Sequence, residues 1–179
     1  MERSIIISGF GGQGVILAGK ILAQAGMNHG LEVTWLPSYG PEMRGGTANC
    51  TVVLSDELVG SPIVDEATTL IAMNLPSLDK FEQTIAAGGN IVVNRSLIER
   101  KVDRTDVNAC YLDMNKIARD EVGNPRAINM VALGAYVKAS GALPLQVVKD
   151  TMAHSMRASG KKKFVEMNER ALDAGYNAL

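Results

Sequence analysis

Cysteine and histidine are both scarce in this chain of 179 residues, which has only Cys50 and Cys110, His29 and His154. The two thiols lie far apart and show no Cys-x-x-Cys spacing. The chain alone therefore cannot hold a four-cysteine iron–sulfur cluster, and a structural zinc site is nearly as hard to assemble. Two buried apolar thiols in a reducing cytoplasm are the expectation. Neither sign of charge is in excess: eighteen Lys and Arg against nineteen Asp and Glu leave a formal charge of -1. Such a balance gives no general attraction to nucleic acid or to acidic membranes. No apolar run approaches the roughly 18 residues of a membrane span. The opening "MERSIII" carries an acid and too short an apolar stretch for a signal peptide, so the expected location is cytoplasmic.

What remains is ordinary globular material. Apolar residues at 46% and charged residues at 21% exclude disorder, collagen and coiled coil. The length suits one domain spanning 1–179, able to bury a core without disulfides or metal. No internal repeat or low-complexity tract is present.

Residues 4–8, β-branched and without internal alternation, predict a strand buried on both faces of a parallel sheet. Val15, Ala18, Leu22 and Ala25, flanked by Leu17 and Ile21, recur at helical spacing until "HG" at 29 and 30 stops the helix. "LEVTWLP" at 31–37 predicts a second strand, completing a βαβ unit. Alternation in "TANCTVVLSD" gives a strand with one wetter face, and an antiparallel edge is one reading of it. "TTLIAMN", "NIVVN" and "VNACYLDM" supply further strands. "PSLDKFEQTIAAGG", with proline at its start and glycine at its end, predicts a helix, and "NKIARDEVG" a short one. From about residue 124 to 179 three helical stretches follow one another. Leu145, Val148, Met152 and Met156 share a face of the second, and Phe164, Met167, Ala171 and Ala174 a face of the third. The expected fold is a Rossmann-like three-layer α/β/α arrangement, mostly parallel, with a helical C-terminal part.

The chemistry-bearing stretch is "GFGGQG". Gly9, Gly11 and Gly14 satisfy Gly-x-Gly-x-x-Gly between a strand and a helix, with Phe10, Gly12 and Gln13 in the gaps. Such a loop turns sharply, admits a ligand to bare backbone and aims helix N–H groups at a phosphate or carboxylate. Equally, the glycines could serve only a tight βα turn or the approach of another chain's backbone. NAD is disfavoured: the acid expected at the far end of the second strand is missing, that end reading "WLPS", and Glu32 opens the strand instead of closing it. A Walker loop is excluded because Lys20 has the wrong spacing and Ile21 stands where Ser or Thr would bind magnesium. A second loop, "PSYGPEMRGGT", also leaves a strand's carboxyl end and should neighbour the first. It contributes Ser38, Tyr39, Glu42, Arg44, Gly45, Gly46 and Thr47. Arg44 could present a planar cation to an anion, or form a surface pair with Glu42 worth less than about 1 kcal/mol. Lys161, Lys162 and Lys163 are expected to be a solvated run, and Trp35 a packing residue.

With both loops in view, "GFGGQGV", "PSYGPEMRGGTANCTVVLSD", "NPRAINMVALGA" and the "GSP" at 60–62 resemble the gamma subunit of the 2-oxoacid:ferredoxin oxidoreductases, in the branch acting on 2-oxoglutarate or branched 2-oxoacids. The resemblance covers almost the whole chain. It implies a Rossmann-like subunit working with alpha and beta chains that hold thiamine diphosphate and magnesium, and with a delta chain carrying iron–sulfur clusters. It also implies the reaction of a 2-oxoacid, CoA and oxidised ferredoxin to acyl-CoA, carbon dioxide and reduced ferredoxin. No catalytic residue is assigned to this chain and no metal site. The residues from Gly9 to Gly14 and from Ser38 to Thr47 are expected to face partner chains or the phosphates of CoA, 2-oxoglutarate being the favoured substrate. An indolepyruvate-type small subunit resembles the same loops, and a free-standing nucleotide-binding dehydrogenase or sensor is the rival outside the family. For a dehydrogenase, neither His29 nor His154 has an identifiable partner.

Overall fold

Ile5, Ile6 and Ile7 in succession cannot divide themselves between core and water. In the computed structural model, which describes residues 2–39 and 47–179, both faces of their strand are covered. That strand, β1 (Glu2–Phe10), lies inside a six-stranded sheet with β2 (Glu32–Tyr39), β3 (Thr47–Ser55), β4 (Ala67–Ala72), β5 (Ile85–Asn94) and β6 (Asn108–Leu112). The spatial order is β2-β3-β1-β4-β5-β6. β1, β4, β5 and β6 pair in parallel, whereas β3 runs antiparallel to both β1 and β2. The antiparallel edge is thus a two-strand affair, with β2 outermost and β3 inserted between the two strands of the βαβ unit. Burial of Cys50 and of Val52 to Ser55 fits that interior position.

Helices cover the two faces unequally. α1 (Val15–Asn28) packs with Ile5 and Ile7 on one face, joined there by α4 (Ile128–Ser140), α5 (Leu145–Ala158) and α6 (Val165–Asn177). On the other face Ile6, Leu70, Ile91 and Val93 form a smaller cluster with Leu78 and Phe81 of α2 (Leu75–Phe81), Val64, and the segment carrying Ile98 and Val102. That thin layer is fastened by a buried carboxylate. Glu82 accepts from the Arg100 guanidinium at 2.7 Å and from the backbone N–H groups of Asp103 at 2.5 Å and Arg104 at 3.2 Å. An unpaired carboxylate at this depth would be costly, and the two backbone donors satisfy lone pairs that the guanidinium leaves free. α3 (Met114–Lys116) continues as a π turn to Glu121.

Two expectations are corrected. The helix expected up to Gly89 stops far earlier, because Ile85 already pairs with Ala67 as a sheet residue and the two glycines form an irregularity within β5. Gly88 takes a positive φ there and donates to the Asp106 carbonyl. In α6 the buried stripe is Val165, Asn168, Ala171, Leu172 and Gly175, leaving Phe164 outside at 37% exposure. A strip displaced by one residue follows from α4, which is buried without a break from Ile128 to Val137 and touches α6 backbone to backbone. A Cβ at Gly134 would land on the Leu172 carbonyl, and one at Gly175 on the Val131 carbonyl. Neither backbone can yield as a side chain would.

Gly175→Ala is therefore expected to destabilise the fold by about 3 kcal/mol or more, at the upper end of overpacking losses, as read from urea unfolding. An alkaline effect follows from Cys50. Burial pushes its thiol from 9.0 up to about 12, and burial pushes the Tyr136 phenol from 10.0 to about 12. The unfolded chain ionises first, so stability should fall as pH rises from about 9 toward 12, by up to about 1.4 kcal/mol per pH unit for each group. Cys50→Ala should make the decline shallower; an unchanged slope would show the thiol is not held protonated.

Candidate functional site

β1 and β4 are parallel neighbours whose chains leave in opposite senses, β1 through α1 toward β2 and β4 through α2 toward β5. The helices fall on opposite faces, so a crevice opens outside the carboxyl ends of β1 and β4. In open α/β sheets that reversal of strand order is where ligands bind.

The turn forming one wall is built almost without side chains. Gln13 folds its side-chain oxygen back to accept from the Phe10 N–H at 2.6 Å, while its own N–H donates to the Phe10 carbonyl at 3.1 Å. This double closure needs glycine at position 9, where a Cβ would strike the Gln13 oxygen and crowd Met73 and Val15. Gly12 has φ +95° with open space where a Cβ would point. Gly14 is the N-cap of α1 in the left-handed region, and its carbonyl accepts from Asn129 Nδ2 at 3.2 Å. A Cβ there would collide with the same amide. No side chain caps α1, and its first turn has no acid. Ala18 N–H is the first to bond within the helix, to Gly14, leaving the earlier N–H groups for an external acceptor at the positive end of the dipole.

The second wall comes from β4. Met73 N–H donates to the Ser8 carbonyl, and Ser8 donates its hydroxyl to Ser77 at 2.8 Å. Asn74, fully buried, accepts from Ser77 N–H through Oδ1 at 2.9 Å, yet its Nδ2 has no partner. An unspent buried donor costs about 1–3 kcal/mol. Further along the same edge Asn94 donates to the Met73 carbonyl and to Asn115, and Arg95 meets Asp113 at 2.5 Å. The guanidinium holds the Asp113 carboxyl below its usual range. Phe10 and Leu75, at 38% and 39% exposure, give this rim an apolar component.

Of the expected site residues, the turn from Gly9 to Gly14 comes together as one element, Gly12 exposed and Gly11, Gln13 and Gly14 half-buried. Thr47 joins it, paired directly with Phe10. Tyr39 pairs with Ala48, so β2 ends and β3 begins at the same end of the sheet as the carboxyl end of β1, with β3 alone lying next to β1. Ser38 is exposed on β2, two strand spacings, or about 10 Å, from β1. Glu42, Arg44, Gly45 and Gly46 lie outside the described residues. Glu32 pairs with Ser55 at the opposite edge of the sheet. With β3 between β1 and β2, the place where a ribose-binding acid belongs is itself displaced, which argues further against a dinucleotide. Two contributors went unnoticed in the sequence. Asn74 had a readable signal, an N-cap residue just before Leu-Pro-Ser; Asn129, inside an apolar helix, had none.

Cysteine chemistry has no foothold here. Cys50 is buried with its thiol directed at the Val15 carbonyl, and Cys110, expected to be buried, is half-exposed on strand β6 next to the sheet's open edge. Among the described residues no three His, Cys, Asp or Glu side chains gather as a metal site, and no helix is long and apolar enough to cross a membrane.

The family model described as pyruvate ferredoxin/flavodoxin oxidoreductase matches residues 4–178. The chain is 42% identical to ketoisovalerate oxidoreductase subunit VorA of Methanothermobacter thermautotrophicus over 174 residues, 97% of this chain and 36% of that protein. It thus spans little more than a third of the first curated relatives it matches. Among solved structures it resembles the gamma subunit of a keto/oxoacid ferredoxin oxidoreductase from Geobacter sulfurreducens. The TM-score is 0.84 at 29% identity, covering 98% of this chain and 97% of that one. It also resembles the 2-oxoglutarate:ferredoxin oxidoreductase of Magnetococcus marinus, solved with 2-oxoglutarate, coenzyme A and succinyl-CoA bound. There the TM-score is 0.87 at 26% identity, covering 99% of this chain and 31% of that one.

The two positive-φ glycines of the turn should respond differently to alanine. Gly12→Ala meets open space and is expected to cost about 1–2 kcal/mol from backbone conformation alone. Gly14→Ala adds the clash with Asn129 and should cost more. Adding Asn129→Ala should recover part of the Gly14→Ala loss, a coupling that a double-mutant cycle in denaturant measures; strict additivity would contradict the contact.

Proposed function

The chain belongs to the pyruvate ferredoxin/flavodoxin oxidoreductase family, and on that footing we propose that it is the gamma component of a multisubunit 2-oxoacid:ferredoxin oxidoreductase. The overall reaction takes a 2-oxoacid and CoA to an acyl-CoA and carbon dioxide, and passes the electrons to ferredoxin. Resemblance over nearly the full chain to a gamma subunit of the same extent carries this reading. The substrate we favour is 2-oxoglutarate, in keeping with the Magnetococcus relative. A branched 2-oxoacid is the second reading, favoured by 42% identity to the ketoisovalerate subunit. Alpha and beta chains would hold thiamine diphosphate and magnesium, and a delta chain the iron–sulfur clusters, in a cytoplasmic complex. Residues 1–179 act as one domain in this reading.

This chain's own contribution would be a binding wall. The turn from Gly9 to Gly14, with the free N–H groups of Val15, Ile16 and Leu17, suits the phosphates of CoA: bare peptide donors, a helix dipole and no competing carboxylate. CoA supplies the thiol that takes the acyl group, and the residues here orient and hold its anionic end. Ser38, Tyr39, Glu42, Arg44, Gly45, Gly46 and Thr47 are proposed to close over it or to face a partner chain.

Titration calorimetry of the chain with CoA tests the wall. Saturable heat is expected, and Gly12→Ala, the smallest side chain that can be set in the open space at this turn, should reduce it, with the fold checked by urea unfolding. Absence of heat at millimolar CoA would assign the loops to subunit assembly alone. Omitting this chain from the reconstituted complex should abolish 2-oxoglutarate- and CoA-dependent reduction of ferredoxin or a viologen dye; full activity without it would overturn the subunit assignment.

A further inference from the structure

One level of the sheet runs through three adjacent parallel strands: Ser8 of β1 is in register with Ala72 of β4, and Ala72 with Val93 of β5. Two, three and four residues beyond that level stand Phe10, Leu75 and Leu97, each more than a third exposed. Each is tied to the face of the sheet that carries α2. Ile6 and Ser8 turn to that face, Ser8 bonding Ser77 of α2, and strand alternation sends Phe10 after them. Leu75 opens α2 itself, and Leu97 precedes Ile98, which is buried in the same cluster as Leu78. Single exposed apolar residues are ordinary, as with Met27 on α1. Three of them just past one register level, on neighbouring strand ends, make a shelf. It begins at the glycine turn and reaches across two strand spacings, about 10 Å, to β5.

This shelf offers little to a charge. Beside it the polar side chains of the edge are engaged with one another. Ser8 donates to Ser77 at 2.8 Å, Asn94 to the Met73 carbonyl and Asn115, Ser96 accepts from the Asn115 N–H at 3.2 Å, and Arg95 pairs with Asp113. The start of α1 is the opposite, uncapped by any side chain and free of acid in its first turn, so an anion belongs there. The carboxyl edge is therefore divided, anion-binding at α1 and apolar from Phe10 to Leu97. That division fits a ligand with a phosphate end and a long uncharged arm. Resting on the CoA-binding role proposed above, we infer that the pantetheine arm of CoA lies along Phe10, Leu75 and Leu97 with its thiol end toward β5. The phosphates stay at the turn, and the three apolar side chains set the direction in which the arm leaves it. A nucleotide without the arm leaves the shelf empty.

The test is titration calorimetry of the full chain with CoA and, separately, with its nucleotide half, the phosphoadenosine diphosphate that keeps every phosphate and lacks the pantetheine arm. CoA should bind about tenfold more tightly than the nucleotide half. Leu75→Ser and Leu97→Ser should each weaken CoA about threefold or more, and leave the affinity of the nucleotide half within about twofold of its starting value. Phe10→Ser should do the same, with Phe10→Leu restoring most of the loss. Leu58→Ser, between β3 and β4 and 86% exposed, should change neither ligand. Urea unfolding checks that each variant is folded. Two outcomes overturn the inference and spare the CoA reading. Leu75→Ser and Leu97→Ser without effect on CoA would hand the shelf to a partner chain, and an equal loss for both ligands would place the nucleotide on it. If neither ligand binds, the CoA reading itself fails and the inference falls with it.

Discussion

Gly14 leaves the turn after β1 in a left-handed conformation, and the amide of Asn129, 115 residues away, holds its carbonyl. The direction of α1 and the orientation of its first N–H groups depend on that junction. Gln13 closes the turn from the other side through Phe10, which obliges position 9 to have no side chain. Asn129 in turn is placed by α4, and α4 by a backbone-to-backbone seam with α6 that only glycine permits at Gly134 and Gly175. The C-terminal helices are in this sense the scaffold of the N-terminal turn. A small change in how α4 and α6 pack would be felt at the carboxyl edge of β1, because close-packed interiors transmit displacement.

Much of this was legible in the sequence where local physics decides. A run of three isoleucines means a strand covered twice, and Gly-x-Gly-x-x-Gly after it means a tight turn into a helix; both stand in the structure as β1 and α1. What was not legible depended on partners distant in the chain. Residues 85–89 looked like a helix end because Gly88 and Gly89 punctuate either element, and only pairing with Ala67 makes the segment a strand. The buried stripe of α6 is displaced by one residue because α4 approaches its glycine side. At the site, glycines announce themselves by composition. Asn129 is one polar residue in an apolar helix, and nothing local says that it reaches Gly14.

The functional reading joins these parts. An α/β sheet with its order reversing at β1 and β4 offers a crevice, and this chain lines it with peptide groups instead of reactive side chains. Among the described residues no three His, Cys, Asp or Glu side chains gather. In the function proposed above, this chain binds and positions, and cofactors on other chains would carry the difficult chemistry.

The central claim is that the amides at the start of α1 are the contact made with CoA. Amide chemical shifts of the nitrogen-15-labelled chain, recorded as CoA is added, test it most directly. The account predicts saturable shifts concentrated on Gly11 to Leu17, with smaller ones at Asn129 Nδ2 and Asn74 Nδ2. Shifts confined to other parts of the surface, or none at all at saturating CoA, would contradict it.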